Sequence, residues 1–288
     1  MKNNQKSNSN NNSFTIPKYI ILTGKLLQRI SPDLATRFIA KIFGTPLKFS
    51  PPERELMMRE SAKKNIINLD GIRKKIMVYT YGYSKKKILL VHGWSGRGTQ
   101  LYSLADKILE NKMMVISFDA PAHGLSDGSR TSLMEFIKCI RQLEKKYGPF
   151  DAAVGHSLGG MALINSVASG LKLNNLVIIG SDNSIIEILK SSVEKFSLKP
   201  VIAQRLIALI NERLGIDVKD YSSQNVAKKV GIPTLVIHDS EDKYVPVSNA
   251  FSIRQSLKKG ELLMTNGLGH HKILKDPVTN QRIIDFIG

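Results

Sequence analysis

Short, continuous apolar runs alternate with helical stretches over residues 73–288, and this alternation limits the possible folds more than any other feature of the chain. A first run at 73–81 follows a turn at Asp70-Gly71. Later runs lie at 88–92, 114–118, 152–155, 176–180, 234–238 and 262–265, with helical patterns around 99–110, 131–147, 158–169, 247–258 and 277–287. Strands that are apolar throughout are typical of a parallel sheet covered by helices on both faces. The sequence therefore predicts an α/β fold with a mostly parallel sheet.

Three segments depart from this alternation. Residues 183–220 contain two helical patterns and no strand, which predicts a small helical cap inserted between two strands. Residues 1–13 are polar and low in complexity, and we expect a disordered tail there. Residues 14–50 have apolar residues at helical spacing on both sides of Pro32, which predicts an amphipathic helical extension. The α/β domain then occupies residues 51–288.

The positive charge of the chain is concentrated near its N-terminus. The formal net charge is +18, and residues 1–90 carry 18 basic and 5 acidic residues. Within residues 17–44 a basic face lies beside an apolar face, which consists of Ile20, Leu26, Leu27, Phe38 and Ile42. Such a helical pair either associates peripherally with an anionic membrane or packs on the domain. The asymmetry disfavours nucleic acid as a partner of the whole protein.

Several other classes of protein are disfavoured by the sequence. Cys139 is the only cysteine, so an intramolecular disulfide framework is excluded. We find no apolar run of about 18 residues and no clear cleavage site for a signal peptide. We therefore expect a cytoplasmic protein, with peripheral attachment to the inner face of the membrane as the variant. Phosphate-binding, dinucleotide-binding and HExxH patterns are absent, so neither a cofactor nor a metal is predicted.

The sequence Gly155-His156-Ser157-Leu158-Gly159 connects the apolar run at 152–155 to the helical pattern at 158–169. In this context a G-x-S-x-G motif forms a sharp turn that holds the serine exposed and strained. The glycines are required because a Cβ at either position would collide with a neighbouring element. The motif predicts that Ser157 is a nucleophile.

Further motifs accompany this turn in the chain. They are Val91-His92-Gly93-Trp94, the FDAPAHGLS segment at 118–126, the HDSEDKYVP segment at 238–246 and Gly267-Leu268-Gly269-His270. With the serine turn, they resemble the α/β-hydrolase superfamily over residues 70–288. The branch that they resemble contains esterases, lipases, monoacylglycerol-lipase-like enzymes and serine aminopeptidases. The resemblance implies an α/β-hydrolase fold and a serine-dependent hydrolase.

The same resemblance implies partners for Ser157. The base is His270, which follows the Gly-Leu-Gly turn, with the adjacent His271 as the alternative. The acid is Asp242, three residues before a Val-Pro pair, with Asp182 as the alternative. We interpret Asp239 in the same loop as a turn former, and Asp119 as the structural aspartate of the superfamily.

An oxyanion hole is implied at two backbone N–H groups, those of Trp94 and Leu158. Trp94 is also a candidate lining residue of the substrate pocket. We interpret Arg97, in the same loop, as a solvated residue, with contact to an acidic group as the alternative. His92 and His123 are interpreted as loop-building residues, and His156 as pointing away from the nucleophile.

These residues predict hydrolysis of a small-molecule carboxylic ester through an acyl-serine intermediate, with acylglycerols or lysophospholipids as candidate substrates. The same residues serve amide hydrolysis and aminopeptidase activity, which stays an alternative. A binding protein that keeps the fold without turnover is a second alternative, and the complete set of motifs disfavours it.

Overall fold

A computed structural model of the protein describes residues 16–288. The predicted disordered tail therefore lies outside the described residues. The described strands are β1 (Lys63–Asn68), β2 (Lys75–Tyr81), β3 (Lys87–Val91), β4 (Met114–Phe118), β5 (Ala152–His156), β6 (Asn175–Ile179), β7 (Thr234–Asp239) and β8 (Gly260–Thr265). The described α-helices are α1 (Lys18–Ile30), α2 (Pro32–Phe43), α3 (Leu56–Ser61), α4 (Tyr102–Glu110), α5 (Leu133–Tyr147), α6 (Leu158–Ala168), α7 (Ile185–Lys195), α8 (Pro200–Leu214), α9 (Ser223–Ala227), α10 (Ser248–Ser256), α11 (Gly269–Lys272) and α12 (Pro277–Ile287).

The strands form one sheet in the order β1-β2-β4-β3-β5-β6-β7-β8. All pairs from β4 to β8 in this order are parallel, whereas β1 and β2 add two antiparallel pairings at one edge. Every residue of β4 and β5 is buried, as expected for strands covered on both faces. The prediction of an α/β fold with a mostly parallel sheet is confirmed.

Helices cover the two faces of the sheet with separate apolar clusters. One cluster joins the sheet to α5, α6, α9 and α10 and includes Phe136, Ile140 and Leu163. The other joins the opposite face to α3, α4 and α12 and includes Met58, Leu104 and Ile283. The carboxyl ends of β5, β6 and β7 thus lie between two helical layers, and these layers fix the positions of the residues that follow each strand.

Strand β1 has no counterpart among the predicted elements. Its sequence is KKNIIN, and Ile67 is its only buried residue. An edge strand that exposes most of its side chains lacks the apolar pattern by which a strand is recognised. It pairs with β2 through the turn that the sequence predicted at Asp70-Gly71.

The N-terminal helices α1 and α2 pack on the helical segment between β6 and β7, not on the sheet. That segment contains α7, α8 and α9, and we call α7 and α8 the insertion. Ala35 and Ile39 of α2 are fully buried, and they lie in one apolar cluster with residues of α7 and α8. The partners in the insertion are Leu189, Val193, Ile202, Ala203 and Leu206.

The apolar face predicted for residues 17–44 is largely used in this packing. Ile20, Leu27, Phe38 and Ile42 are partly buried against the cluster of α2 and the insertion, whereas Leu26 is exposed. Four of these five side chains therefore pack against other helices of the protein. Packing on the domain, one of the two outcomes predicted for these helices, therefore accounts for most of this face, and association with a membrane stays a prediction for the apolar residues that α1 exposes. Among residues 16–288, no helix combines the length and the apolar character that crossing a membrane requires.

Candidate active site

Ser157 lies at the turn between β5 and α6 with a positive φ of 53°. This backbone conformation is rare for a residue with a side chain and is tolerated where surrounding contacts fix it. Close packing explains the glycines around it. A Cβ at Gly155 would lie 2.6 Å from the backbone of Gly159, and one at Gly159 would lie 2.3 Å from the carbonyl oxygen of Val91. The half-buried serine is thus presented at the start of a helix, as the motif predicted.

Asp242 and His270 are brought together from loops after β7 and β8. The Nδ1 of His270 lies 2.6 Å from the Oδ2 of Asp242. Because an ionised carboxylate only accepts hydrogen bonds, Nδ1 donates and Nε2 is left without a proton in the neutral ring. The backbone N–H groups of Tyr244 and Val245 donate to the other oxygen of Asp242 at 2.8 and 3.0 Å. The loop N–H groups therefore fix the orientation of the Asp242 carboxylate, and the carboxylate fixes that of the His270 ring.

The charge of Asp242 is stabilised where it lies. Burial raises the pKa of this carboxyl, but the hydrogen bond and the charge of His270 lower it, and so do the two backbone donors. The net effect holds the pKa of Asp242 below its usual value. Asp242 is thus an anion at neutral pH and accepts the hydrogen bond that orients the His270 ring.

Ser157 and the Asp242–His270 pair meet at the end of β6. The backbone N–H of Ser157 donates to the carbonyl of Ile179 at 2.9 Å. A Cβ at the next residue, Gly180, would lie 3.1 Å from Nδ1 of His270 and 3.5 Å from Oδ2 of Asp242. The carboxyl ends of β5, β6 and β7 and the loop after β8 therefore bring the three predicted residues to one place.

His156 supports the loop that carries His270, a role that the sequence did not indicate. Its Nε2 lies 3.0 Å from the carbonyl oxygen of His270, and the two rings are 4.5 Å apart between centroids. Burial, followed by the charges of His270 and His271, lowers the pKa of His156 well below its usual value. The neutral ring therefore donates from Nε2. His156 was predicted only to point away from the nucleophile, and the structure places it against the candidate base, which is 114 residues away in sequence.

The two predicted oxyanion donors are the backbone N–H groups of Trp94 and Leu158. Among residues 16–288, neither the backbone N–H of Trp94 nor that of Leu158 donates a hydrogen bond within the chain. Leu158 follows Ser157 directly at the first position of α6. The Trp94 loop lies beside the serine, because a Cβ at Gly93 would be 3.0 Å from the Cβ of Ser157. Two unpaired donors next to one serine suit a developing oxyanion.

The remaining histidines of the early motifs build the Trp94 loop. The Nε2 of His92 accepts a hydrogen bond from the N–H of Ala120 at 3.0 Å, and that of His123 accepts one from Ser95 at 3.0 Å. Burial lowers the pKa of His92 to about 4 and that of His123 to about 3. Both rings are neutral at physiological pH and hold loop backbone in place.

The other predicted carboxylates have distinct positions. Asp119 accepts hydrogen bonds from the N–H groups of Gly98 and Leu125, which matches its predicted structural role. Asp239 accepts from the hydroxyl of Thr265 and from backbone N–H groups of its own loop and the next. Asp182 accepts from Nδ2 of Asn249 at 2.6 Å, and no direct bond joins it to His270 among the described residues.

Residues that precede the sheet in the chain contact the Trp94 loop. The ring of Phe43 stacks on that of Trp94 with 6.2 Å between centroids. The Nε of Arg97 lies 2.9 Å from a carboxylate oxygen of Glu55, and its Nη1 donates to the carbonyl of Phe49 at 2.9 Å. Arg97 is therefore not solvated, which corrects the first interpretation made from the sequence, and the acidic group that it contacts is Glu55 of the same chain.

Comparison with known proteins agrees with this fold. The profile of the Alpha/beta hydrolase family matches residues 88–230, and that of a family described as TAP-like protein matches residues 214–288. The sheet and the turn at Ser157 define the chain as an α/β hydrolase in architecture. The chain belongs to the α/β-hydrolase superfamily, as the sequence motifs predicted.

Individual relatives are distant. The human monoacylglycerol lipase ABHD6 is 24% identical over 260 residues, which cover 71% of this chain and 76% of the relative. A solved structure titled as a putative lipase of Acinetobacter baumannii has a TM-score of 0.61 and 17% identity, covering 84% of this chain and 97% of its own. A structure titled as a bacterial membrane phospholipase A has a TM-score of 0.62 and 16% identity, covering 94% and 98%. At these identities, the likeness of this chain to the solved structures shows a shared fold alone.

Proposed function

We propose that the protein hydrolyses carboxylic esters with Ser157 as nucleophile, His270 as base and Asp242 as the acid that orients it. The observation that carries the proposal is the 2.6 Å hydrogen bond between His270 and Asp242, beside the strained turn of Ser157. This arrangement activates a hydroxyl that is a weak nucleophile at neutral pH. The lipase and esterase names of the relatives support ester hydrolysis.

The chemistry follows from the positions of the protons. Nε2 of His270 takes the proton of Ser157 as its Oγ attacks the ester carbonyl, and the imidazolium is stabilised by Asp242. The N–H groups of Trp94 and Leu158 donate to the oxyanion of the tetrahedral intermediate. His270 then protonates the leaving alcohol and leaves an acyl-serine. Water, deprotonated by the same ring, releases the carboxylic acid and restores Ser157.

For the substrate we propose an ester of the acylglycerol or lysophospholipid type. The names of two relatives, a monoacylglycerol lipase and a phospholipase A, support this class. Neither a metal nor an organic cofactor has a part in the proposed reaction.

The proposal is tested with a fluorophosphonate probe and a substrate series. We expect the purified protein to be labelled at Ser157 and to hydrolyse p-nitrophenyl esters and monoacylglycerol faster than aminoacyl anilides. Ser157→Ala is expected to lose the label and to lose turnover at least about a thousandfold. Ser240→Ala, an exposed serine of the β7 loop, is the matched control. Wild-type turnover by folded Ser157→Ala protein would contradict the proposal, and faster cleavage of the anilides would replace esters with amides as the substrate class.

A further inference from the structure

Helix α1 exposes an apolar stripe on the side that faces away from the protein. The stripe consists of Tyr19, Leu22, Leu26 and Ile30, whose exposed fractions are 69, 65, 59 and 66%. Their spacing of three, four and four residues places them in one row along the helix, about 16 Å long. On the opposite side Gly24 is buried, and a Cβ there would lie 3.5 Å from the side chain of Leu198.

A row of cations runs beside this stripe. Lys18, Lys25 and Arg29 each precede a stripe residue by one position and are exposed. Among the described residues none of the three forms a salt bridge, and residues 1–15 contain no acidic residue that could pair with them. The single acid of residues 16–50, Asp33, pairs with Arg205 of α8. The surface therefore combines unpaired positive charge with exposed apolar side chains.

We propose that this surface of α1 binds an anionic lipid bilayer, with the stripe in the acyl boundary and the cations at the headgroups. Cationic residues flanking an exposed apolar row are complementary to such a bilayer. The polar sequence of residues 2–13 offers no apolar side chain to cover the stripe. A second copy docked on the same stripe brings its row of like charges against the first, which disfavours self-association.

The attachment of α1 determines what the bilayer meets. The Oε1 of Gln28 accepts a hydrogen bond from the N–H of Lys199 at the start of α8, at 2.7 Å. Leu27 and Ile20 pack on the same cluster as Leu198 and Ile202. A membrane-bound α1 therefore holds the insertion, and not the edge of the sheet, next to the lipid. For the proposed substrates, this places the insertion near the surface from which an acyl chain is taken.

Binding is measured by co-sedimentation of the full-length Ser157→Ala protein, so that the result does not depend on the proposed activity. The vesicles contain either phosphatidylglycerol with phosphatidylcholine or phosphatidylcholine alone. We expect stronger binding to the anionic vesicles at low salt, and loss of this difference near 1 M salt, where the Debye length is about 3 Å. Equal failure to bind both kinds of vesicle would overturn the proposal.

Two sets of variants with matched controls locate the surface. Leu22→Gln with Leu26→Gln is expected to weaken binding at least about tenfold, because two apolar side chains no longer leave water. The control, Phe251→Gln with Val278→Gln, removes two exposed apolar residues from α10 and α12 and leaves binding unchanged. Equal effects of the two pairs would show that α1 is not the binding surface.

The charge set is Lys18→Gln, Lys25→Gln and Arg29→Gln, with an expected loss of about a hundredfold at low salt. Its control removes the same charge from exposed Lys145, Lys228 and Lys258, in other parts of the chain. If the control set weakens binding to anionic vesicles as much as the α1 set, binding follows net charge alone and the proposed surface is wrong. A lipid-free dimer that dissociates in the Leu22 and Leu26 variant would assign the stripe to a second copy and overturn the proposal.

Discussion

The two carboxylates at and just after the end of β7 differ in whether an oxygen is available to the imidazole of His270. Asp242 uses one oxygen for loop N–H groups and the other for His270. Asp239, three residues earlier, has both oxygens occupied by its own loop and by Thr265 and Leu268. Of these two acids in one loop, only Asp242 contacts the imidazole. Similarly, His270 is buried against Asp242, whereas the neighbouring His271 is exposed.

This difference predicts a ranking of substitutions. His270→Ala is expected to reduce ester turnover at least about a thousandfold, and His271→Ala less than tenfold. Asp242→Asn is expected to reduce turnover by about four orders of magnitude, because the amide no longer fixes the proton on Nδ1. Asp239→Asn is expected to lower the free energy of unfolding, because the amide nitrogen cannot accept the hydrogen bonds that the loop N–H groups donate to Asp239. Turnover per folded protein is measured for all four, and a reversed order within either pair would refute that residue's proposed role.

Asp182 gives a pH-dependent prediction for stability. Burial, and to a lesser extent the charge of Asp242, raises the pKa of Asp182 from 3.8 to about 6 in the folded protein. Between these values the folded state keeps a proton that the unfolded chain has released, so stability falls as the pH rises through this window. The loss reaches about 3 kcal/mol above pH 6.

Asp182→Asn is therefore expected to raise the free energy of unfolding at pH 8 by about 2–3 kcal/mol and to leave it unchanged at pH 4. The amide oxygen can still accept the hydrogen bond from Asn249. Denaturant unfolding at both pH values measures the effect, with the exposed Asp70→Asn as control. Ester turnover should stay within tenfold, and a loss like that of Asp242→Asn would make Asp182 the acid after all.

At the scale of elements, the segment between α2 and α3 connects the insertion to the Trp94 loop. Helix α2 packs on α8, and its last residue, Phe43, stacks on Trp94. Further along, the N–H of Leu47 donates to the hydroxyl of Ser95, and Glu55 binds Arg97 and accepts from Thr99. The N-terminal extension thus holds one of the two proposed oxyanion donors in place.

Loss of this attachment has a measurable cost. Arg97→Met leaves the buried carboxylate of Glu55 without its cation, which is expected to reduce the free energy of unfolding by about 3 kcal/mol. Adding Glu55→Gln should recover part of the loss, because a neutral amide can still accept the hydrogen bond from Thr99. Arg130→Met, which removes an exposed arginine, is the control. Additive losses in thermal or denaturant unfolding would show that the ion pair has no role in stability.

At the scale of the whole molecule, local sequence patterns predicted most of the strands, whereas the contacts between distant parts of the chain could not be predicted from them. The central strands could be predicted from the sequence because strands buried on both faces are apolar throughout. The turn at Ser157 could be predicted because its close packing requires glycines at fixed positions. The edge strand β1 could not, since Ile67 is its only buried residue. The contact of His156 with His270 and the packing of Ile39 on the insertion join distant parts of the chain. Nothing in the local sequence marks those partners, so the sequence left open whether the apolar face of residues 17–44 packs on the domain or contacts a membrane.

The packing of the first two helices on α8 also sets an order of events during synthesis. Gln28 and its partner Lys199 are 171 residues apart in the chain. At about 5–20 residues per second, a ribosome needs roughly ten to thirty seconds to make that stretch. Throughout this interval α1 lacks its partners in the insertion, so its inward apolar side is only partly covered on the nascent chain. The first helices to be made are therefore among the last to be buried, after six of the eight strands have been synthesised.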